Sequence, residues 1–221
     1  MNQRSILLRI LCISWTLQQR RSSSMANSEQ RNLYTADYIV GQMPEIDTKA
    51  IAKMVLKNHA EKKMMHPDPN NIRGEDVRID FDKNIEKISK ELIKQYDFAS
   101  NGTRQIALCC DTPDPRFHKD KNESYWAIVH ERGDTTVLHS HENPKKYEVG
   151  PHISAAFWIQ VPENSGDFVF QYKPNPYMVS ETTLKSTEGC FLMFDSTLKH
   201  RVTRHLSFGQ RIVVSMNFNI I

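Results

Sequence analysis

Three histidines and one arginine have the types and spacing that suit metal-assisted oxidation. His139 and His141 flank a single serine, His200 follows much later in the chain, and Arg211 lies a little beyond it. Side chains two positions apart on a strand point to one face, so His139 and His141 can aim at a single ion. His200 would close that site from another strand. A buried guanidinium at Arg211 would offer a planar fork for the far carboxylate of an organic acid. The set suits an iron ion held at the mouth of a small barrel, and with it oxygenase chemistry.

The elements that must position these residues come in two blocks. Leu33 to Val40 suits a short strand, and Pro44-Glu45-Ile46-Asp47 then offers a turn with Asp47 as the cap of a helix. Ala50, Ile51, Met54 and Val55 form its apolar stripe, which runs to about Met64 before His66-Pro67-Asp68-Pro69-Asn70 breaks it. A second helix is expected with Asp80 as its cap. Phe81, Ile85, Ile88, Leu92 and Tyr96 recur at helical spacing, and Asn101-Gly102 ends it. From there the period changes to that of strands. Gln105–Cys110, Trp126–Val129, Thr135–His141, Ile153–Val161, Phe168–Tyr172, Cys190–Phe194 and Arg211–Phe218 alternate with Gly, Pro and Asn. Helices followed by many short strands predict an α+β, mainly β fold, with two N-terminal helices packed on the outside of a barrel or jelly roll.

Composition sets further bounds. A chain of 221 residues fits one domain over 25–221, with a helical support region at 25–104 and a β core at 105–221. The formal charge of +3 comes from residues 1–24, which carry Arg4, Arg9, Arg20 and Arg21 and no acid, so the rest is near neutral and no nucleic-acid surface is expected. No apolar run reaches the roughly 20 residues that span a bilayer. Cys12, Cys109, Cys110 and Cys190 form neither a metal knuckle nor a disulfide framework, which fits a reducing, cytoplasmic setting. Met25-Ala26-Asn27-Ser28 reads as a natural start. Residues 1–24 are therefore expected to be an unstructured upstream extension, with an organellar transit peptide as the alternative.

The segment from Trp126 onward resembles the iron(II)- and 2-oxoglutarate-dependent dioxygenases related to prolyl hydroxylases. The resemblance rests on Trp126-Ala127-Ile128-Val129, Gly133-Asp134, His139-Ser140-His141, Ser154-Ala155-Ala156-Phe157-Trp158, Ser165-Gly166, Phe194-Asp195-Ser196, His200-Arg201-Val202 and Arg211 leading to Asn217-Phe218. It implies a double-stranded β-helix with His139 and His200 as iron ligands and Arg211 pairing with the distal carboxylate of 2-oxoglutarate, whose keto-acid end chelates the metal. Oxidative decarboxylation to succinate and carbon dioxide would accompany hydroxylation of a peptidyl side chain or a small metabolite. The family usually places Asp or Glu at the position of His141. Either His141 itself is the third ligand here, or a nearby carboxylate such as Glu142 takes that place. Tyrosines common on the strand corresponding to Phe157-Trp158 are also missing, which leaves Tyr172 and Tyr125 as candidate supports for the bound acid.

Other residues carry plainer expectations. His59, His66, His118, His130 and His205 read as ordinary surface or satisfied side chains, and His152 as loop surface near the pocket. Phe157, Trp158, Phe168, Phe170, Phe191 and Phe194 read as core. Glu142 to Gly150 is either a solvated connection or a lid, with Lys145, Lys146 and Tyr147 placed to select a peptide or small-molecule substrate. Two other readings compete: a cupin-like three-histidine dioxygenase that uses no 2-oxoglutarate, and a non-catalytic jelly-roll binding module. Oligomeric state is not legible.

Overall fold

Two hydrophobic periods, one helical and one of alternating strand residues, lead to two cores on opposite faces of one sheet. The computed structural model describes residues 27–33, 36–63, 74–114, 116, 121–141 and 149–221. The expected extension at 1–24, the helix break at 66–70 and Glu142, Lys145, Lys146 and Tyr147 lie outside the described residues.

Helix α1 (Thr48–Ala60) begins where expected, because the Asp47 carboxylate accepts from the Ala50 amide at 2.9 Å. Helix α2 (Lys83–Ala99) is capped by Asp82 rather than Asp80. Only the residue just ahead of the first helical amides can reach them, and Asp82 Oδ1 accepts from Asn84 N and Ile85 N at 2.9 and 3.0 Å. Helix α2 ends through Asn101 and Gly102, both with positive φ, as the Asn-Gly pair predicts.

The strands differ from expectation mainly in number. Leu33–Val40 is replaced by a hairpin of β1 (Asn27–Leu33) and β2 (Ala36–Gln42). Three short strands were not anticipated: β3 (Glu75–Val77), β9 (Met178–Leu184) and β11 (Lys199–Val202). Each is too short or too polar to announce itself, and a paired neighbour decides its conformation. The remaining strands are β4 (Ile106–Leu108), β5 (Tyr125–His130), β6 (Thr136–His139), β7 (Ile153–Gln160), β8 (Phe168–Asn175), β10 (Cys190–Asp195) and β12 (Arg211–Ile220). A single turn, α3 (Lys121–Ser124), leads into β5.

These strands form two antiparallel sheets. The larger runs β1-β2-β10-β7-β12-β5-β3, with β4 also paired to β12, and the smaller runs β6-β11-β8-β9. Alternation on the large sheet sends Ile212, Val214, Met216 and Phe218 of β12 to one side, where they pack with Ile51, Val55, Ile85, Ile88 and Leu92 of the two helices. Val213 of the same strand faces the other way, into a second core with Trp158, Phe168, Phe170 and Phe194 between the sheets. The helices thus cover the outer face of a double-stranded β-helix. All six aromatics expected in the core are buried.

Candidate metal centre and acid pocket

Strand pairing brings the distant histidines together. His200 on β11 lies opposite His139 on β6 in register, so the two imidazoles project from neighbouring strands, with ring centroids 4.2 Å apart. His141 stands beyond the end of β6, where its amide donates to Ser196 O at 2.8 Å. The turn therefore sets its direction. Its ring lies 5.2 Å from that of His139 and 5.0 Å from that of His200.

Hydrogen bonds select one tautomer for all three rings. His139 Nδ1–H donates to Val137 O at 2.8 Å and His200 Nδ1–H to Leu198 O at 2.9 Å, because a carbonyl oxygen can only accept. His141 Nδ1–H donates to Asn217 Oδ1 at 2.9 Å, with Ser154 Oγ also 2.9 Å away. The Asn217 amide is itself oriented, since its Nδ2 donates to Glu123 O at 2.9 Å and its Oδ1 accepts from Ser154 Oγ at 2.8 Å. That places the lone pair of each ring on Nε2. The Nε2 atoms of His139 and His141 face each other at 3.2 Å, and all three donor atoms lie within 4.8 Å of one another. Nitrogen donors about 2.1 Å from a divalent first-row ion, set at right angles, lie about 3 Å apart, so the donor set fits such a cation.

Burial keeps the rings of His141 and His200 neutral. It pulls His141 down to about 4, against a smaller upward push from the Asn217 hydrogen bond. It also holds His200 well below its usual value, with His141 and His139 adding to the effect. Phe168 stacks on His200 at 5.1 Å and Phe194 meets its edge at 4.8 Å, an apolar wall behind the donors.

The same cavity, of about 480 Å³, reaches from these histidines to Arg211. Arg211, Val213, Ser215 and Asn217 line it as the alternate residues of β12. Arg211 is 1% exposed, and burial pushes its guanidinium down to about 10, leaving it charged at neutral pH. Its Nη1 contacts His130 Nδ1 at 3.3 Å, its Nη2 donates to Ser186 Oγ at 3.2 Å, and its Nε has no partner. No carboxylate bonds to it among the described residues. Asp167 supports its charge without bonding to it, and a buried cation hydrogen-bonded only to neutral groups fits an anionic ligand.

The residues expected to act together therefore share one cavity, which Asn217 also lines, and further residues stand behind them. His130, expected to be an ordinary satisfied side chain, is instead in contact with Arg211. Ser186 and Ser154 were given no role in advance, and neither was Asn217. Only the position of Asn217 on the inward face of β12 hinted at its part. Tyr125, Tyr172 and His152 do not line the cavity; His152 Nδ1 accepts from Ile220 N at 3.2 Å. His59 pairs with Glu75, and His205 Nε2–H donates to Gly209 O at 2.6 Å.

Comparison with known proteins bears on this arrangement. Residues 124–217 match the family described as "Putative 2OG-Fe(II) oxygenase". The match spans less than half of the chain and is a likeness to that family. Enzymes of this family depend on iron(II) and 2-oxoglutarate. No curated protein matches the sequence. Among solved structures, the chain resembles a Pseudomonas putida prolyl-4-hydroxylase at 13% identity and a TM-score of 0.57, over 88% of this chain and 93% of that one. A Trichoplax adhaerens prolyl hydroxylase in complex with a hypoxia-inducible-factor peptide aligns at 13% identity and a TM-score of 0.52, over 99% and 94% of the two chains. HygX from Streptomyces hygroscopicus, with nickel and 2-oxoglutarate bound, aligns at 11% identity and a TM-score of 0.51, over 82% of each. These likenesses identify the fold of the chain as the double-stranded β-helix. No helix of the described residues is long and apolar enough to cross a membrane.

Proposed function

We propose that this oxygenase hydroxylates a peptidyl side chain or a small metabolite, with His139, His141 and His200 as the iron ligands and Arg211 as the anchor of 2-oxoglutarate. The observation that carries the reading is a guanidinium with a free Nε and no bonded carboxylate, facing a cavity on which three imidazole donor nitrogens converge within 4.8 Å of one another. Two needs of the chemistry meet there: a neutral donor set for the metal and a cation for the far end of a dicarboxylate.

Iron(II) held by His139, His141 and His200, with 2-oxoglutarate anchored at Arg211, would supply oxygen activation, one oxygen atom entering succinate as carbon dioxide leaves and the other entering the substrate C–H bond. The protein orients and excludes water. Asn217 and Ser154 hold the His141 proton on Nδ1, Val137 O and Leu198 O do the same for the other two ligands, and Phe168 and Phe194 keep that wall dry. A third neutral ligand in place of a carboxylate leaves the centre one unit more positive, which favours an anionic cosubstrate.

Three neutral ligands also suit a cupin-like dioxygenase in which the substrate alone binds the metal. The free Nε of Arg211, with no carboxylate bonded to the guanidinium, favours the 2-oxoglutarate reading. We also read residues 25–221 as one domain, since α1 and α2 share their core with the large sheet. The free cysteines Cys109, Cys110 and Cys190 suit a cytoplasmic setting.

The test is anaerobic titration of protein starting at Met25 with iron(II) and 2-oxoglutarate, followed by succinate analysis after oxygen is admitted. One iron per chain, a visible charge-transfer band on adding 2-oxoglutarate, and succinate formation are expected. Iron binding with no spectral response to 2-oxoglutarate would overturn the assignment. Arg211→Ala should raise the 2-oxoglutarate KM by about a hundredfold, the cost of leaving one partner of a buried charge-assisted contact unmade.

A further inference from the structure

His130 occupies the last position of β5, directly across from Arg211 in the β5–β12 register. It is fully buried, at 0% exposure, and both its ring nitrogens are committed. A guanidinium can only donate, so His130 Nδ1 accepts from Arg211 Nη1 at 3.3 Å. The ring proton must then sit on Nε2, which donates to Thr136 Oγ1 at 2.8 Å. Thr136 is the first residue of β6, the strand that ends in His139.

The ring is also held sterically. A Cβ on Gly74 would come within 2.7 Å of its Cδ2 and Nε2, so backbone packs directly against the imidazole. Only glycine leaves room for it there. With Ser186 on the other terminal nitrogen, the bonded partners of Arg211 are uncharged, and Nε remains without a partner.

Resting on the function proposed above, we propose that His130 is a positioning residue that sets the cosubstrate class: it aims Arg211 as an uncharged acceptor and so reserves the guanidinium charge for the second carboxylate of a 2-oxo dicarboxylic acid. A carboxylate at this place would fix the guanidinium equally well but would compensate its charge. The incoming ligand would then be desolvated against a pair already neutral, and a 2-oxo monocarboxylic acid would lose little by comparison.

The test measures equilibrium binding of 2-oxoglutarate and of 2-oxobutanoate to the anaerobic iron(II)-loaded protein, with steady-state kinetics alongside. Wild type should bind 2-oxoglutarate more tightly by at least about a hundredfold. His130→Gln can both accept and donate, and should keep the 2-oxoglutarate Kd within about threefold. His130→Glu should weaken 2-oxoglutarate by at least about tenfold, erode discrimination against 2-oxobutanoate, and leave the iron Kd and the kcat at saturating 2-oxoglutarate within about twofold. Ser186→Asp brings a carboxylate to the other side of the same guanidinium, and should give the same pattern if His130→Glu fails to fold. Wild-type discrimination in either acidic variant, or an equal loss in His130→Gln, overturns the assignment. A wild-type protein that binds iron but ignores 2-oxoglutarate overturns instead the function on which it rests.

Discussion

Asn217 is the residue on which His141, the proposed third ligand, depends. A histidine presents Nε2 to a metal only if its proton stays on Nδ1, and Asn217 Oδ1 is the acceptor that holds it there for His141. The carboxamide is fixed in turn by Glu123 O and Ser154 Oγ. Replacing it with alanine leaves Ser154 to serve that proton alone. Asn217→Ala is therefore expected to weaken iron(II) binding by about 10–100-fold, as read by chelator competition, with little change in melting temperature. An unchanged affinity would mean that Ser154 alone holds the ring. The sequence placed Asn217 on a strand beyond Arg211 but gave no sign of this contact. Its partner lies 76 positions away.

The helices illustrate how a supporting element differs from a site element. Helix α2 has an apolar face of Ile85, Ile88, Leu92 and Tyr96 against the large sheet, and none of these lines the cavity. Leu92 is fully buried, so Leu92→Ala should cost about 2–5 kcal/mol of stability, seen in chemical denaturation. Iron affinity of the folded fraction should be unaltered. A drop in affinity equal to the stability loss would show that the helix shapes the site directly. Both helices and most long strands were visible in hydrophobic period alone, because burial on one face repeats along the segment. Strands β3, β9 and β11 were not. Strand β11 matters most, since its four residues include His200 and its pairing with β6 is what brings His200 to His139. Four residues of mixed polarity carry no period.

At the scale of the whole molecule, neutral buried histidines tie stability to pH. Burial, with Arg211 adding to it, holds His130 at about 3 against an ordinary value of 6.5. The native state thus refuses a proton that the unfolded chain accepts. Above pH 6.5 neither state is protonated and this group contributes no pH dependence. Between about 6.5 and 3 the unfolded state binds more protons, so stability falls as pH falls, by up to about 1.4 kcal/mol per pH unit for this group. Below about 3 its effect levels off. His130→Gln should flatten the acid limb of stability over that window when unfolding is measured in urea at several pH values. His141 and His200, lowered in the same direction, keep their share. An acid limb as steep as that of wild type would show that His130 is already protonated in the native protein.

The amino-acid sequence by itself determined which side chains are suited to bind a metal and an acid, and which segments turn a greasy face inward. Residue type and short-range period are local properties, so His139, His141, His200 and Arg211 stand out as candidates and the two helices could be read directly. Tertiary structure decided who touches whom across the sheets. It set Asp82 in place of Asp80 at the helix start, carried His141 past the end of its strand, and gave Arg211 an uncharged partner in His130. Such contacts join residues far apart in the chain, and their geometry exists only once strand register and the packing of two sheets have fixed each side chain in space.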